Sequence, residues 1–165
     1  MAYPSDLTAL GSLVEASNNE RVKKGSRDKY ANTNVRVLQW LSVNYAPVMN
    51  KAWLSAVSDE AGAELPEGSV LGDAFKPVMK RLLLEMDKEL PPIIFREFRT
   101  SMFLQWVQTL ETGFDTASGH RSAFRGLFQD YGVELPADWD AQVSLMFKGL
   151  KRQKNAVMRR LPDRL

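Results

Sequence analysis

The sequence has no cysteine and only one histidine, His120. The absence of cysteine excludes a disulfide framework, a thiolate nucleophile and a cysteine-ligated zinc site. A single histidine cannot supply a histidine pair to a metal, and it leaves no His-x-x-Arg element. A Ser-His-Asp triad would have to use His120 without the glycine-flanked turn that exposes a nucleophile. We therefore expect no catalytic residue, no metal and no cofactor, and we expect that the chain is not an enzyme.

Other functional signatures are missing as well. The glycines within residues 62–72 are not followed by the Lys-Ser/Thr pair of a phosphate-binding P-loop. Acidic pairs such as Asp59 and Glu60 fall on polar faces or in loops, whereas general acid catalysis needs a carboxyl group in an apolar pocket. No apolar run approaches the roughly 18 residues that span a bilayer, and residues 1–7 lack the features of a secretory signal. We expect no membrane span and an intracellular location, nuclear if the source is a eukaryote.

Charge is distributed unevenly along the chain, although the net charge of the 165 residues is only +2. Residues 148–165 contain seven lysines or arginines against one acid, and residues 21–29 contain five against one. Residues 59–67 carry four acids and no base. A binding surface for a charged partner gives such a pattern, but solvated helix faces and a solubilising tail give it too. The charge pattern alone leaves both interpretations open.

Apolar residues recur at helical spacing along nearly the whole chain, and extended β-type alternation is absent. We predict an all-α fold, a compact bundle of about six to seven helices packed around one core. Aromatic residues on the helical stripes are predicted to be core rather than stacking surfaces. The predicted helices cover residues 5–15, 27–45, 47–61, 73–90, 95–111, 118–131 and 136–160.

The chain divides into three predicted parts. Residues 1–25 form a short helix and a polar linker, residues 26–153 form the helical domain, and residues 154–165 form a basic extension. Gly132 is predicted to end the sixth helix in the left-handed conformation, which glycine adopts without strain.

The predicted helix over residues 118–131 begins with basic side chains. Its apolar side contains Ala123 and Phe124, so His120, Arg121 and Arg125 fall near its start or on a flanking face. Basic side chains beside the free backbone amides of a helix start form a phosphate-binding site. The pattern therefore favours a site for an anion such as a nucleic-acid phosphate.

A second basic face lies on the last predicted helix. Lys148, Lys151, Arg152 and Asn155 are spaced by three and four residues, so they share one side of the helix. A basic face that also carries an amide can contact phosphates and can offer an adenine contact in the major groove. A solvent-exposed face without a ligand has the same sequence pattern.

Five short motifs follow one another in a fixed order along the chain. They are Pro91-Pro92, Phe103-Leu104-Gln105-Trp106, His120-Arg121-Ser122-Ala123, Asp130-Tyr131-Gly132 and Phe-Lys-Gly-Leu-Lys-Arg at 147–152. An earlier helix carries Thr33, Val37 and Leu41 at four-residue steps. This ordered set resembles the N-terminal core-binding domain of tyrosine recombinases, and it looks closest to the crypton-like recombinases of mobile elements. The resemblance covers residues 29–152.

The resemblance implies a SAM-like helical bundle that forms one jaw of a clamp around duplex DNA. In the family, the catalytic residues and the nucleophilic tyrosine lie in a second domain further along the chain, for which this sequence has no room before Leu165. Tyr131 belongs to a helix end and is not that nucleophile. We therefore expect a non-catalytic domain of the DNA recombination and integration family. Its expected partners are double-stranded DNA, contacted mainly through the backbone, and a further protein or a catalytic domain supplied in trans.

The resemblance and the helical faces together assign the expected DNA-binding residues. They are Thr33, Arg36, His120, Arg121, Arg125, Lys148, Lys151, Arg152 and Asn155. The alternative function is a helical protein–protein interaction module that kept the fold without binding DNA. The low net charge and the large apolar content favour that alternative.

Overall fold

The computed structural model describes residues 24–65 and 71–160, and these residues form six α-helices and three short 3-10 turns. The all-α prediction is thereby confirmed, while the predicted helix over 5–15 lies outside the described residues. In the described part of the chain, no helix is both long and apolar enough to cross a membrane. The helices are α1 Lys24–Asn44, α2 Lys51–Ala61, α3 Lys76–Glu85, α4 Thr100–Leu110, α5 Phe114–Asp130 and α6 Trp139–Arg160.

Helix α1 is the central element of the bundle. It packs against α3, α4 and α5, because Ala31, Val35 and Leu38 form a buried stripe at helical spacing. Its contact with α5 is close: the side-chain amide of Asn34 donates to the carbonyl oxygen of Ala123 at 3.0 Å. This packing holds α5 against the centre of the bundle.

The remaining helices lie on different sides of this centre. Helix α2 packs on α3 and on the 3-10 turn before it, whereas α6 packs on α4 and α5. The acids of α2, Asp59 and Glu60, and the bases of α6 therefore belong to helices with no main neighbour in common. The acidic and basic segments of the sequence therefore also lie on different helices that do not pack against each other.

Phe124 of α5 lies at the centre of an aromatic core and is fully buried. Its ring centroid is 4.9 Å from that of Phe98 and 5.3 Å from that of Phe103. The rings of Phe128 and Trp139 lie 5.4 and 5.8 Å from it. Aromatic pairs at such distances each contribute about 0.5–1.5 kcal/mol beyond the burial of their area. Since these residues come from α4, α5, α6 and the segment before α4, the core fixes how α5 and α6 lie together.

The helix predicted over 47–61 begins later than expected. Pro47 lies in the 3-10 turn Ala46–Val48, and α2 starts at Lys51 because Asn50 is its N-cap. The side-chain oxygen of Asn50 accepts from the amide of Ala52 at 3.1 Å. The prediction failed here because asparagine at an N-cap was a stronger start signal than proline in a first turn.

Two further predicted helices are shorter than expected. The helix predicted over 73–90 is a 3-10 turn followed by α3, and it ends early because Met86 has left-handed backbone torsions, with φ of 52°. The helix predicted over 95–111 is a 3-10 turn followed by α4, which starts only at Thr100. The hydroxyl of Thr100 donates to a carboxylate oxygen of Asp138 at 2.6 Å, so a tertiary contact holds this helix start.

Helix α5 starts at Phe114, four residues before the predicted start at Ser118. The predicted loop over 112–118 is therefore wrong for most of its length. Ala117 is fully buried and Phe114 packs on a ring of α6, so the additional turn is stabilised by tertiary contacts. The predicted end of this helix is confirmed, because Gly132 has a φ of 66°.

We predict that Phe124→Ala lowers the free energy of unfolding by about 3–5 kcal/mol, since it leaves a cavity among four other rings. Chemical denaturation measures this loss. The matched control is Val43→Ala, because Val43 is 51% exposed and an exposed substitution changes stability by no more than about 0.5 kcal/mol. Equal losses in the two variants would show that Phe124 does not organise the core.

Candidate nucleic-acid interface

The beginning of α5 is joined to the middle of α6 by two aromatic rings. Phe114, the first residue of α5, meets Phe147 edge to face, with centroids 6.0 Å apart. Phe147 is buried and Phe114 is half-buried. Because Phe114 remains partly accessible, this ring pair forms a platform at the surface of the bundle.

Three cations lie over this platform. The guanidinium carbon of Arg121 is 4.6 Å from the ring centre of Phe147. The ammonium groups of Lys151 and Lys154 lie 6.0 and 5.9 Å from the ring centre of Phe114, at the outer limit for a cation–π attraction. We call these five residues the aromatic–cation cluster. It brings basic side chains from α5 and α6 to one place.

Only part of the positive charge in this region is neutralised. Lys154 pairs with Asp115 at 2.8 Å. Among residues 24–65 and 71–160, no acid forms an ion pair with the other bases of the region. These unpaired bases are Arg121, Lys148, Lys151 and Arg152. Four charges thus remain available to an anionic partner.

The predicted basic face of α6 is accessible in the fold. Lys148, Lys151, Arg152 and Asn155 are all exposed. Their positions, at 100° per residue, fall within one arc of the helix, as the sequence indicated. The structure therefore places these four predicted residues on one open surface, which shares Lys151 with the aromatic–cation cluster.

Two of the predicted DNA-binding residues are not on the surface. Thr33 is 5% exposed, and its hydroxyl oxygen accepts from the guanidinium of Arg36 at 3.4 Å. His120 is 7% exposed, and its ring packs on Trp106 with centroids 5.0 Å apart. Both side chains lie on buried stripes of their helices. Their predicted place on an open DNA-binding face is therefore wrong.

The predicted phosphate site at a helix start is also wrong. Since α5 begins at Phe114, His120 and Arg121 lie in its second turn, where backbone amides donate within the helix. Arg121 therefore has no free amides beside it. Its contribution to binding an anion is that of its guanidinium alone.

His120 lies among like charges. Its burial, and the positive charges of Arg36 and Lys29 on α1, lower the pKa of its imidazole. This environment favours the neutral form of the imidazole. Both Arg36 and Lys29 are exposed, so they form a second basic area, on α1. The described contacts do not join this area to the aromatic–cation cluster.

Arg125 lies one turn beyond Arg121 and is exposed. It borders a groove of about 860 Å³ between α1, α3 and α5, together with Arg27, Glu85 and Asp130. Burial raises the pKa of Asp130 to about 6, against the opposing effect of Arg27. Because acids and bases mix in this groove, Arg125 contributes less to a purely positive surface than Arg121 does.

Three residues of this region were absent from the predicted site. Phe114 and Asp115 fell in the segment that was predicted to be a loop, although a phenylalanine beside a helical stripe is a signal for an earlier start. Lys154 was part of the basic run but not of the predicted site. In the described part of the chain, no group of His, Asp or Glu is placed to hold a metal ion.

No family model, no curated protein and no solved structure matches this chain. The resemblance to recombinase core-binding domains therefore remains a prediction from the motifs.

We predict that His120 titrates below its ordinary pKa of about 6.5, because burial and nearby cations disfavour the imidazolium. His120 is the only histidine, so its ring-proton resonance gives the pKa in an NMR titration without ambiguity. Arg36→Gln should raise this pKa toward the ordinary value, since it removes one of the positive charges. A midpoint at or above 6.5 in the unmodified protein would contradict the environment described here.

Proposed function

We propose that this chain is a non-catalytic domain that binds double-stranded DNA, related to the clamp domain of tyrosine recombinases. The aromatic–cation cluster is the observation that carries the proposal, because it brings together Arg121 of α5 and Lys151 of α6, two bases that have no acidic partner among the described residues. The motif resemblance adds the family, the SAM-like arrangement of the bundle and the connection with DNA recombination and integration. DNA strand cleavage would then require a separate catalytic domain.

The expected contacts are mainly to the DNA backbone. Arg121, Lys148, Lys151 and Arg152 are exposed or half-exposed, and each can neutralise a phosphate and release a counterion. If about five phosphates are contacted in all, the logarithm of the affinity falls against the logarithm of salt with a slope of roughly −4 to −5.

The low net charge of +2 is compatible with DNA binding, because the acids of α2 lie on a helix that does not pack against α5 or α6. A single jaw is expected to bind weakly, with a dissociation constant on the order of micromolar or weaker.

A second candidate function rests on exposed apolar side chains of α6. Leu145, Val157 and Met158 are 64%, 59% and 62% exposed. Apolar side chains that are left exposed on a helix are available to a partner protein. A helical module that binds another protein through α6 is therefore the alternative to DNA binding.

We predict that Arg121→Glu, Lys148→Glu and Lys151→Glu, combined in one variant, lower the affinity for a labelled duplex by at least tenfold. Each change removes one phosphate contact and adds repulsion, so the salt slope should also become shallower by about 0.9 for each lost contact. Fluorescence anisotropy at several salt concentrations measures both quantities.

The matched control is Lys51→Glu, which changes the charge of an exposed lysine at the start of α2. It should leave duplex affinity within about twofold, because α2 does not belong to the proposed surface. If unmodified protein at tens of micromolar shows no binding, or binding that is independent of salt, DNA binding is refuted. Equal effects of Lys51→Glu and the α5–α6 changes would refute the location of the site.

A further inference from the structure

The final part of α6 lies at the edge of the bundle and is exposed to solvent. Every side chain from residue 151 to residue 159 is exposed, whereas Val143 and Phe147 earlier in the helix are buried. This segment has described contacts with α5 only through the side chains of Lys151 and Lys154. A helix rises about 1.5 Å per residue, so the projecting segment is roughly 13 Å long.

The projecting segment has one strongly basic side. At 100° per residue, Lys148, Lys151, Arg152, Asn155 and Arg159 fall within an arc of about 100°. All five are exposed. The last acid of α6 is in its first turn, and no acid in the described part of the chain pairs with Arg152 or Arg159. The arc is therefore complementary to a polyanion along its whole length.

The shape of this segment fits a particular part of duplex DNA. The major groove is about 12 Å wide and 8.5 Å deep, and a single α-helix with its side chains is about 10–12 Å across. The side of the segment that carries Arg152, Asn155 and Arg159 is exposed and has no described contact with another helix. This side can therefore enter the groove.

Asn155 lies in the middle of the basic arc and is the one uncharged member. Its amide offers a donor and an acceptor side by side, which match the N7 acceptor and the N6 amino donor of adenine in the major groove. The flanking bases, Arg152 and Arg159, can reach the phosphates on either side. The arc therefore combines one group that reads a base with cations that position it.

We infer that the projecting end of α6 enters the DNA major groove and that Asn155 determines a preference for an A·T pair. This inference rests on the proposed DNA binding and adds to it a groove, a reading residue and a base. A contact through phosphates alone would give no base preference, so the two ideas make different predictions.

Binding-site selection from a pool of randomised duplexes tests the inference with three proteins: the unmodified chain, Asn155→Ala and Gln153→Ala. Gln153 is the matched control, because it is an exposed amide of the same projecting segment on the side opposite Asn155. The unmodified chain and Gln153→Ala should enrich a shared adenine position. Asn155→Ala should lose that enrichment while it keeps salt-dependent binding.

A second measurement identifies the groove. Replacing the enriched adenine by 7-deazaadenine removes the N7 acceptor from the major groove. This change should weaken the unmodified chain by about 5-fold or more, as expected for one bidentate base contact, and should leave Asn155→Ala unchanged. Salt-dependent binding without an enriched base, or equal sequence preferences of Asn155→Ala and the unmodified chain, would overturn the inference and leave the proposed function standing. If no duplex is retained at all, the proposed function is refuted together with it.

Discussion

The packing of α5 against α6 is the constraint on which the other features of this domain depend. Phe124 is buried among rings of α4, α5 and α6, and Phe114 meets Phe147 at the surface end of the same contact. The core sets the relative position of the two helices. The surface pair then sets which of their cations lie together. A change in this packing would alter both the stability of the bundle and the shape of its basic surface.

The surface formed by α5 and α6 is positively charged because most of its bases have no described acidic partner, and not because the chain contains many bases. In the described residues, Arg81 on α3 is paired with two acids, Glu60 and Glu85, and Lys80 is paired with Asp28. The region around Phe114 and Phe147 contains Asp115, whose only described partner is Lys154. Among the described residues, the chain therefore neutralises Lys80 and Arg81 on α3 and leaves Lys148, Lys151 and Arg152 on α6 without an acidic partner. This difference explains how a protein of low net charge can present a local field that attracts an anion.

The periodicity of the sequence was sufficient to predict the helices and most of the core. It failed where a helix boundary depends on a contact between residues that are distant in sequence. The four-residue spacing of Thr33, Val37 and Leu41 already indicated that Thr33 shares the buried stripe, and His120 precedes Phe124 by one turn in the same way. Thr33 was instead assigned to the DNA surface by resemblance to a family, and His120 was assigned to it by that resemblance and by its predicted place at a helix start. The early start of α5 could not be predicted, because Phe114 is stabilised by a ring of α6 that is distant in sequence. The exposed face of α6 was predictable, since it depends only on helical spacing.

The central claim is that bases of α5 and α6 form one surface for duplex DNA. Mapping NMR amide shifts during titration with a short duplex tests it most directly, because it reports every residue of the folded chain at once. We expect the shifts to concentrate at Arg121 and at residues 148–159, and we expect the amides of α2 and α3 to remain unchanged. Shifts that spread evenly over the bundle, or that concentrate on α2 and α3, would contradict it.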